Sequence, residues 1–179
     1  LSTLGLVLFI LLFLSLFFTG PLVHLFAPGI TNPDIFKMTV TMTRIVIPAQ
    51  FFFFAGGLFM AVQYAKEKFL VPAMAPLIYN LGIILIGLLL AQKKGMEGFA
   101  WGVLIASFMG NFFIQYLGAR NCGMKFSIII NFRHPELKKY ILLTLPFMVG
   151  LTMTFSMEFF PKFLDPFFRK ETWLVLITA

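Results

Sequence analysis

The feature that most constrains this chain is how far it runs without a charge. Residues 1–33 contain no Asp, Glu, Lys or Arg, and neither do 69–92, 98–119 and 140–157. A fifth stretch, 38–65, carries only Arg44. A helix crosses a bilayer core of about 30 Å with roughly 20 apolar residues. Each stretch meets or approaches that length, so the sequence describes an integral membrane protein.

Composition agrees. Hydrophobic residues make up 60% of the chain and charged residues 12%, whereas soluble domains hold about half and about a quarter. The 25 Phe residues suit lipid-facing surfaces and interfacial belts. Lipid offers backbone N–H and C=O groups no water, so a span must satisfy them internally. A β-barrel would show short segments alternating polar and apolar, and runs such as 83–90 do not alternate. The lone Cys122 cannot form an internal disulfide, and no ligand cluster surrounds it. It reads as an inert thiol near a membrane surface. The net charge of +7 comes from basic residues lying between apolar spans, which points to anionic headgroups rather than nucleic acid. His24 and His134 lie apart, and no glycine-rich phosphate loop leads into a Lys. No enzyme, metal or cofactor is expected, and neither is an ATP-driven pump.

Five spans are predicted: 4–25, 35–64, 71–92, 98–118 and 134–160. Gly20-Pro21 should bend or end the first. Ala27-Pro28-Gly29 and Asn32-Pro33-Asp34 form a loop. Pro48 should kink the second span, because proline removes a backbone bond. The third carries Pro72, Pro76 and Asn80, and the fifth opens on His134-Pro135-Glu136 with Pro146 inside it. Links around Lys66-Glu67-Lys68 and from Lys93 to Glu97 are short enough to force antiparallel neighbours. The longer link, 119–139, holds an apolar patch at 126–130 suited to the membrane surface. The chain starts inside one apolar run and stops at Ala179 inside another, so a piece of a longer polytopic protein is expected. A signal h-region is the alternative for 1–18, but a basic n-region is missing.

Orientation follows from Lys and Arg. The 65–70 and 119–139 links hold Lys66, Lys68, Arg120, Lys125, Arg133, Lys138 and Lys139, seven in all. The opposite side holds Lys37, Lys93, Lys94, Lys162, Arg169 and Lys170, which is six, or three without the tail. The two links holding seven are expected to be cytoplasmic.

Arg44 is the sharpest local signal. It lies four residues before Pro48, on the same helical face, with Thr39, Thr41 and Thr43 near it. A charge at the bilayer centre costs about 2.5–3.5 kcal/mol on insertion scales. Two readings stand: Arg44 faces a cavity and attracts an anionic group, or it snorkels to the interface about two turns from the helix start. Glu158 reads as interfacial. Gln50, Gln63, Asn80, Asn111 and Gln115 are expected to hydrogen-bond neighbouring helices or carbonyls, and Gly56-Gly57 and Gly102/Gly110 to mark close helix packing.

The series Arg44-Ile-Val-Ile-Pro48, Gly56-Gly57 and Lys68-Phe-Leu-Val-Pro72-Ala-Met-Ala-Pro76-Leu-Ile-Tyr-Asn80, followed by Gly95-Met-Glu-Gly98-Phe-Ala-Trp101-Gly102-Val-Leu-Ile-Ala106, resembles the MurJ/MviN family. Phe99 stands where that family has Leu, and Ala106 where it often has Gly. Leu145-Pro146 fits the start of the family's seventh helix. The resemblance covers about residues 1–160. It implies an all-α, polytopic transmembrane bundle, with about five full spans and the start of a sixth from a fourteen-helix transporter. Residues 1–163 would be a partial N-lobe, from the third to the seventh helix. Residues 164–179 do not fit and stay unassigned. The family's cationic cavity residues lie on its first, second and eighth helices, so no core substrate residue carries over. Pro48, Pro76, Asn80, Trp101 and Gly102 would shape helices, and Arg44 is left as the substrate-pathway candidate.

The resemblance further implies a flippase for lipid II, the lipid-linked peptidoglycan precursor, in the bacterial inner membrane. It would work by alternating access, without cofactors, and its partners would be the precursor, membrane lipids and the remainder of the transporter. A related polysaccharide-lipid or drug exporter and a non-transporting membrane scaffold are the alternatives.

Overall fold

The computed structural model describes residues 2–27, 29–30 and 32–124, with positions 142, 144–146, 148–150 and 152–153. The chain divides into two compact units, Leu1–Ile130 and Asn131–Ala179. In the second, all nine described positions are helical. The rest of the predicted fifth span, Glu158, the 126–130 patch and the 164–179 tail lie outside the described residues.

The first unit is helical: α1 (Ser2–Phe17), α2 (Thr19–Phe26), α3 (Pro33–Val46), α4 (Ala49–Ala65), α5 (Leu70–Lys94), α6 (Glu97–Ala106), a π-helical segment (Ser107–Phe113) and α7 (Ile114–Asn121). Among the described residues, three stretches are long and apolar enough to cross a membrane: Pro33–Ala65, Leu70–Lys94 and Glu97–Asn121. The pair α1 and α2, bent by 81°, makes a fourth if it counts as one span.

Prolines mark the interruptions, but not always at the residue itself. The expected bend at Gly20-Pro21 falls instead at Phe18, whose backbone leaves the helical region at φ −93 and ψ 16. A proline ring collides with the carbonyl four residues earlier, and for Pro21 that carbonyl belongs to Phe17. Thr19 settles the corner by donating its hydroxyl to the carbonyls of Ser15 (2.8 Å) and Leu16 (2.9 Å). The second predicted span is interrupted only locally, at Ile47 and Pro48, where the backbone stays in the α region (φ −49, ψ −46 and φ −61, ψ −23) and residues 33–65 still form one span. Past the break, the Gln50 and Phe51 amides donate three residues back, to Ile47 (3.1 Å) and Pro48 (3.1 Å). Pro76, by contrast, sits inside an unbroken α5.

Asn32 and Pro33 are not loop as expected; they start α3. The Asn32 side chain accepts from the Asp34 (2.9 Å) and Ile35 (3.4 Å) amides, with Pro33 in the first turn. That is a capped helix N-terminus with its missing proline N–H placed where none is needed. At its other end, α4 closes on Glu67, a non-glycine residue at φ 55. The Lys68 amide reaches back to the Gln63 carbonyl (2.9 Å) and the Glu67 amide to that of Tyr64 (3.0 Å), the helix-closing pattern usually built on glycine.

Helices α5 and α6 form an antiparallel hairpin turned at Gly95 (φ 58). Helix α3 packs on α6, while α4 packs on the π segment and α7. The 33–65 and 97–121 spans therefore run parallel, and α5 runs antiparallel to them, packed mainly on the 97–121 span rather than on α3 and α4, so the short link at Lys66–Lys68 does not make its two helices close neighbours as expected. Lys66, Lys68 and Arg120 emerge at one end of the bundle, and Lys37, Lys93 and Lys94 at the other.

Candidate functional site

The break between α3 and α4 is the place where the sequence and the structure put a charge, a proline and open space together. Packing α1 against α4 leaves a half-open groove of about 300 Å³. Phe9, Leu12, Phe13 and Leu16 line it from α1, and Ile47, Pro48, Phe51 and Phe52 from the break. The lining is apolar throughout. It is walled by rings because large rings at a broken helix cannot interdigitate closely; Phe9 and Phe51 meet edge to face at 6.4 Å.

Arg44 lies in the last turn of α3, exposed, one turn before Pro48 and outside the groove's lining. Among the described residues it makes no hydrogen bond or ion pair. The neighbouring threonines do not engage it. Thr39, Thr41 and Thr43 donate to carbonyls four residues earlier, those of Ile35 (2.8 Å), Lys37 (3.0 Å) and Thr39 (2.8 Å). Their hydroxyls are spent locally, which leaves the guanidinium's five donors available.

The other predicted positions separate. Pro76 and Asn80 lie together on the exposed face of α5. Asn80 makes no hydrogen bond to a described residue, contrary to the expectation for it; spacing shows that a side chain shares a face, not that a partner stands opposite. The same holds for exposed Gln50. Trp101 is half-buried and lies under Lys94, whose Nζ is 4.9 Å from the ring centroid, a cation–π contact that joins α5 and α6 across the hairpin. Gly102 is fully in the interface: a Cβ there would meet the Gly87 amide nitrogen at 2.9 Å and the Ile83 carbonyl at 3.1 Å.

Gly102 belongs to a longer series. Gly98 stands against Ala91 and Leu90 backbone, Ala106 against Gly82, and Gly110 against the Tyr79 amide and the Ala75 carbonyl. Small residues at every fourth position let two backbones touch. The expectation for Gly102 and Gly110 holds, and the period of four from Gly98 to Gly110 was the signal that extended it. Gly56 also packs closely, onto the Asn111 carbonyl, while Gly57 faces open space.

Of the five amides, Gln63 and Gln115 find partners, in one network. Both are buried, at 1% and 0% exposure. Gln63 Nε2 donates to Gln115 Oε1 (2.8 Å), to the Gln115 carbonyl (3.2 Å) and to the Phe59 carbonyl (3.3 Å), and Gln115 Nε2 donates to the Val71 carbonyl (3.1 Å). The network ties α4, α5 and α7. Asn111 is half-buried, and its buried Nδ2 meets no partner among the described residues. An unmet buried donor costs about 1–3 kcal/mol. It sits inside the π segment, an irregularity that sequence periodicity gave no sign of. Among the described residues no cluster of His, Cys, Asp or Glu could hold a metal.

Packed apolar spans, a bent helix pair and glycine-lined contacts define a multi-pass helical membrane protein. The chain belongs to the lipid II flippase MurJ family, whose model matches residues 1–171. It is 29% identical over 117 residues to the lipid II flippase MurJ of Burkholderia cenocepacia, an alignment covering 62% of this chain and 22% of that protein. To the probable lipid II flippase MurJ of Thermotoga maritima it is 29% identical over 107 residues, covering 59% and 22%. The chain thus aligns with under a quarter of the length of these relatives. No solved structure matches it.

Proposed function

We propose that this protein moves lipid II from the inner to the outer leaflet of a bacterial inner membrane by alternating access. Membership of the flippase family over residues 1–171 carries the reading. Arg44 supports a place for this chain in the transport path. It is a permanent cation at the break of a spanning helix, exposed and unengaged by any described residue. Lipid II presents a pyrophosphate, and a guanidinium forks onto phosphate oxygens where an ammonium acts as a point charge. Pro48 interrupts the hydrogen-bond ladder one turn after Arg44, so a cation at this junction can serve a substrate passing between two states of a lobe.

The test is flipping of lipid II by the full-length protein in vesicles. Arg44→Ala should lower the rate at least tenfold, the loss expected of one charged hydrogen bond, with membrane insertion intact. Arg44→Lys should restore only part of it. If Arg44→Lys matches the native protein and Arg44→Ala is mild, Arg44 is an interfacial anchor. If the native protein flips other lipid-linked saccharides and not lipid II, the related-exporter reading takes over.

A further inference from the structure

The span from Glu97 to Asn121 contains no proline, and the residues bounding its π segment have ordinary α geometry: Ala106 at φ −64, ψ −38 and Ile114 at φ −66, ψ −39. Nothing in the local sequence calls for seven residues of π-helix. Such segments are rare and gather at functional places in helices. Here the surroundings impose it. Upstream, Gly98, Gly102 and Ala106 are seated on α5, and within the segment Gly110 lies on α5 backbone while Gly56 of α4 is pressed on the Asn111 carbonyl. Downstream, the Gln63–Gln115 pair fixes α7 to α4 at 2.8 Å. The π turn joins these anchors, and the buried, unpartnered Nδ2 of Asn111 falls within it.

We propose that Ser107–Phe113 is a two-state joint, π-wound in the conformation described here and α-wound in a second one. Rewinding by one residue turns α7 about 100° against α6, the angle per residue of a helix with 3.6 residues per turn. The Gln63–Gln115 bonds would open in that second state. The stacking of Phe112 on Tyr116, with centroids 6.5 Å apart and planes 7° apart, would open with them. The upstream glycine contacts would stay. Phe52 carries the movement to the groove, because its ring meets Phe108 at 5.3 Å and Phe112 at 5.8 Å while its other side lines the cavity. The joint stands on geometry alone; its coupling to lipid II rests on the proposed function.

The experiment measures a spin-label distance in the full-length protein in nanodiscs, between Leu89→Cys and Leu117→Cys with Cys122→Ser. Leu89 and Leu117 are both exposed, at 67% and 42%, and they lie on either side of the joint. Two distances are expected, and lipid II should change their ratio. Asn111→Leu removes the unmet donor and should cut the share of the second distance severalfold. Deleting Phe113 should leave a single distance. One distance in the native protein, with and without lipid II and unchanged in Asn111→Leu, overturns the joint. Two distances that ignore lipid II, in a protein that flips none, leave the joint standing and overturn the flippase reading instead.

Discussion

The hairpin of α5 and α6 and the contact of α1 with α4 are both helix pairs in one membrane bundle, yet they are built on opposite rules. The hairpin brings backbone to backbone through Gly98, Gly102, Ala106 and Gly110, with Gly82 and Gly87 opposite. The α1–α4 pair meets ring to ring and leaves about 300 Å³ unfilled beside Pro48. Lipid tails are as apolar as any side chain, so apolarity cannot hold helices together in a membrane; close contact and polar bonds must. The hairpin is therefore the rigid part. The α1–α4 contact, made by rings around an open space, is the part free to shift.

Substitutions can break or sharpen that contrast. The largest effect is expected from Gly102→Leu, which drives a branched side chain into Gly87 and Ile83 backbone. Overpacking of this kind costs up to about 3 kcal/mol or more, visible as a lowered unfolding midpoint in detergent. A midpoint equal to the native protein's would mean that the hairpin is not the rigid part. Next comes Gln63→Leu, which strips the partner from a buried Gln115 and should cost about 1–2 kcal/mol. Adding Gln115→Leu should recover most of it, because neither position then holds an unmet buried amide. Failure to recover would show that the network does more than satisfy its own members. The smallest effect belongs to Leu12→Phe in the groove, expected within about 0.5 kcal/mol because the space is already there. A loss matching that of Gly102→Leu would show that the α1–α4 contact is as tight as the hairpin.

Much of this was legible in the residues. Charge-free runs marked the spans, and Pro21 and Pro48 marked that helices break, since a ring without an N–H acts through the chain itself. The place of each break was less legible. Pro21 bends the chain at Phe18 because the carbonyl it displaces is four residues upstream, whereas Pro76 is absorbed in α5 without a break. Asn32 and Pro33 could be read as turn or as cap, and only the bonds from Asp34 and Ile35 decide between them.

What the sequence by itself determined is solvent and secondary structure: long apolar helices, their order, and small residues every four positions where backbones meet. These follow from hydrophobicity, from the period of the helix and from side-chain size, all properties of single residues and their spacing. Tertiary structure alone decided which polar groups are partnered. Gln63 and Gln115 lie 52 residues apart and bond at 2.8 Å, while Asn80, whose spacing looked as promising, makes no hydrogen bond to a described residue. It also decided the winding of Ser107–Phe113. That geometry reconciles anchors on two other helices, and a local stretch of sequence holds no record of where distant anchors stand.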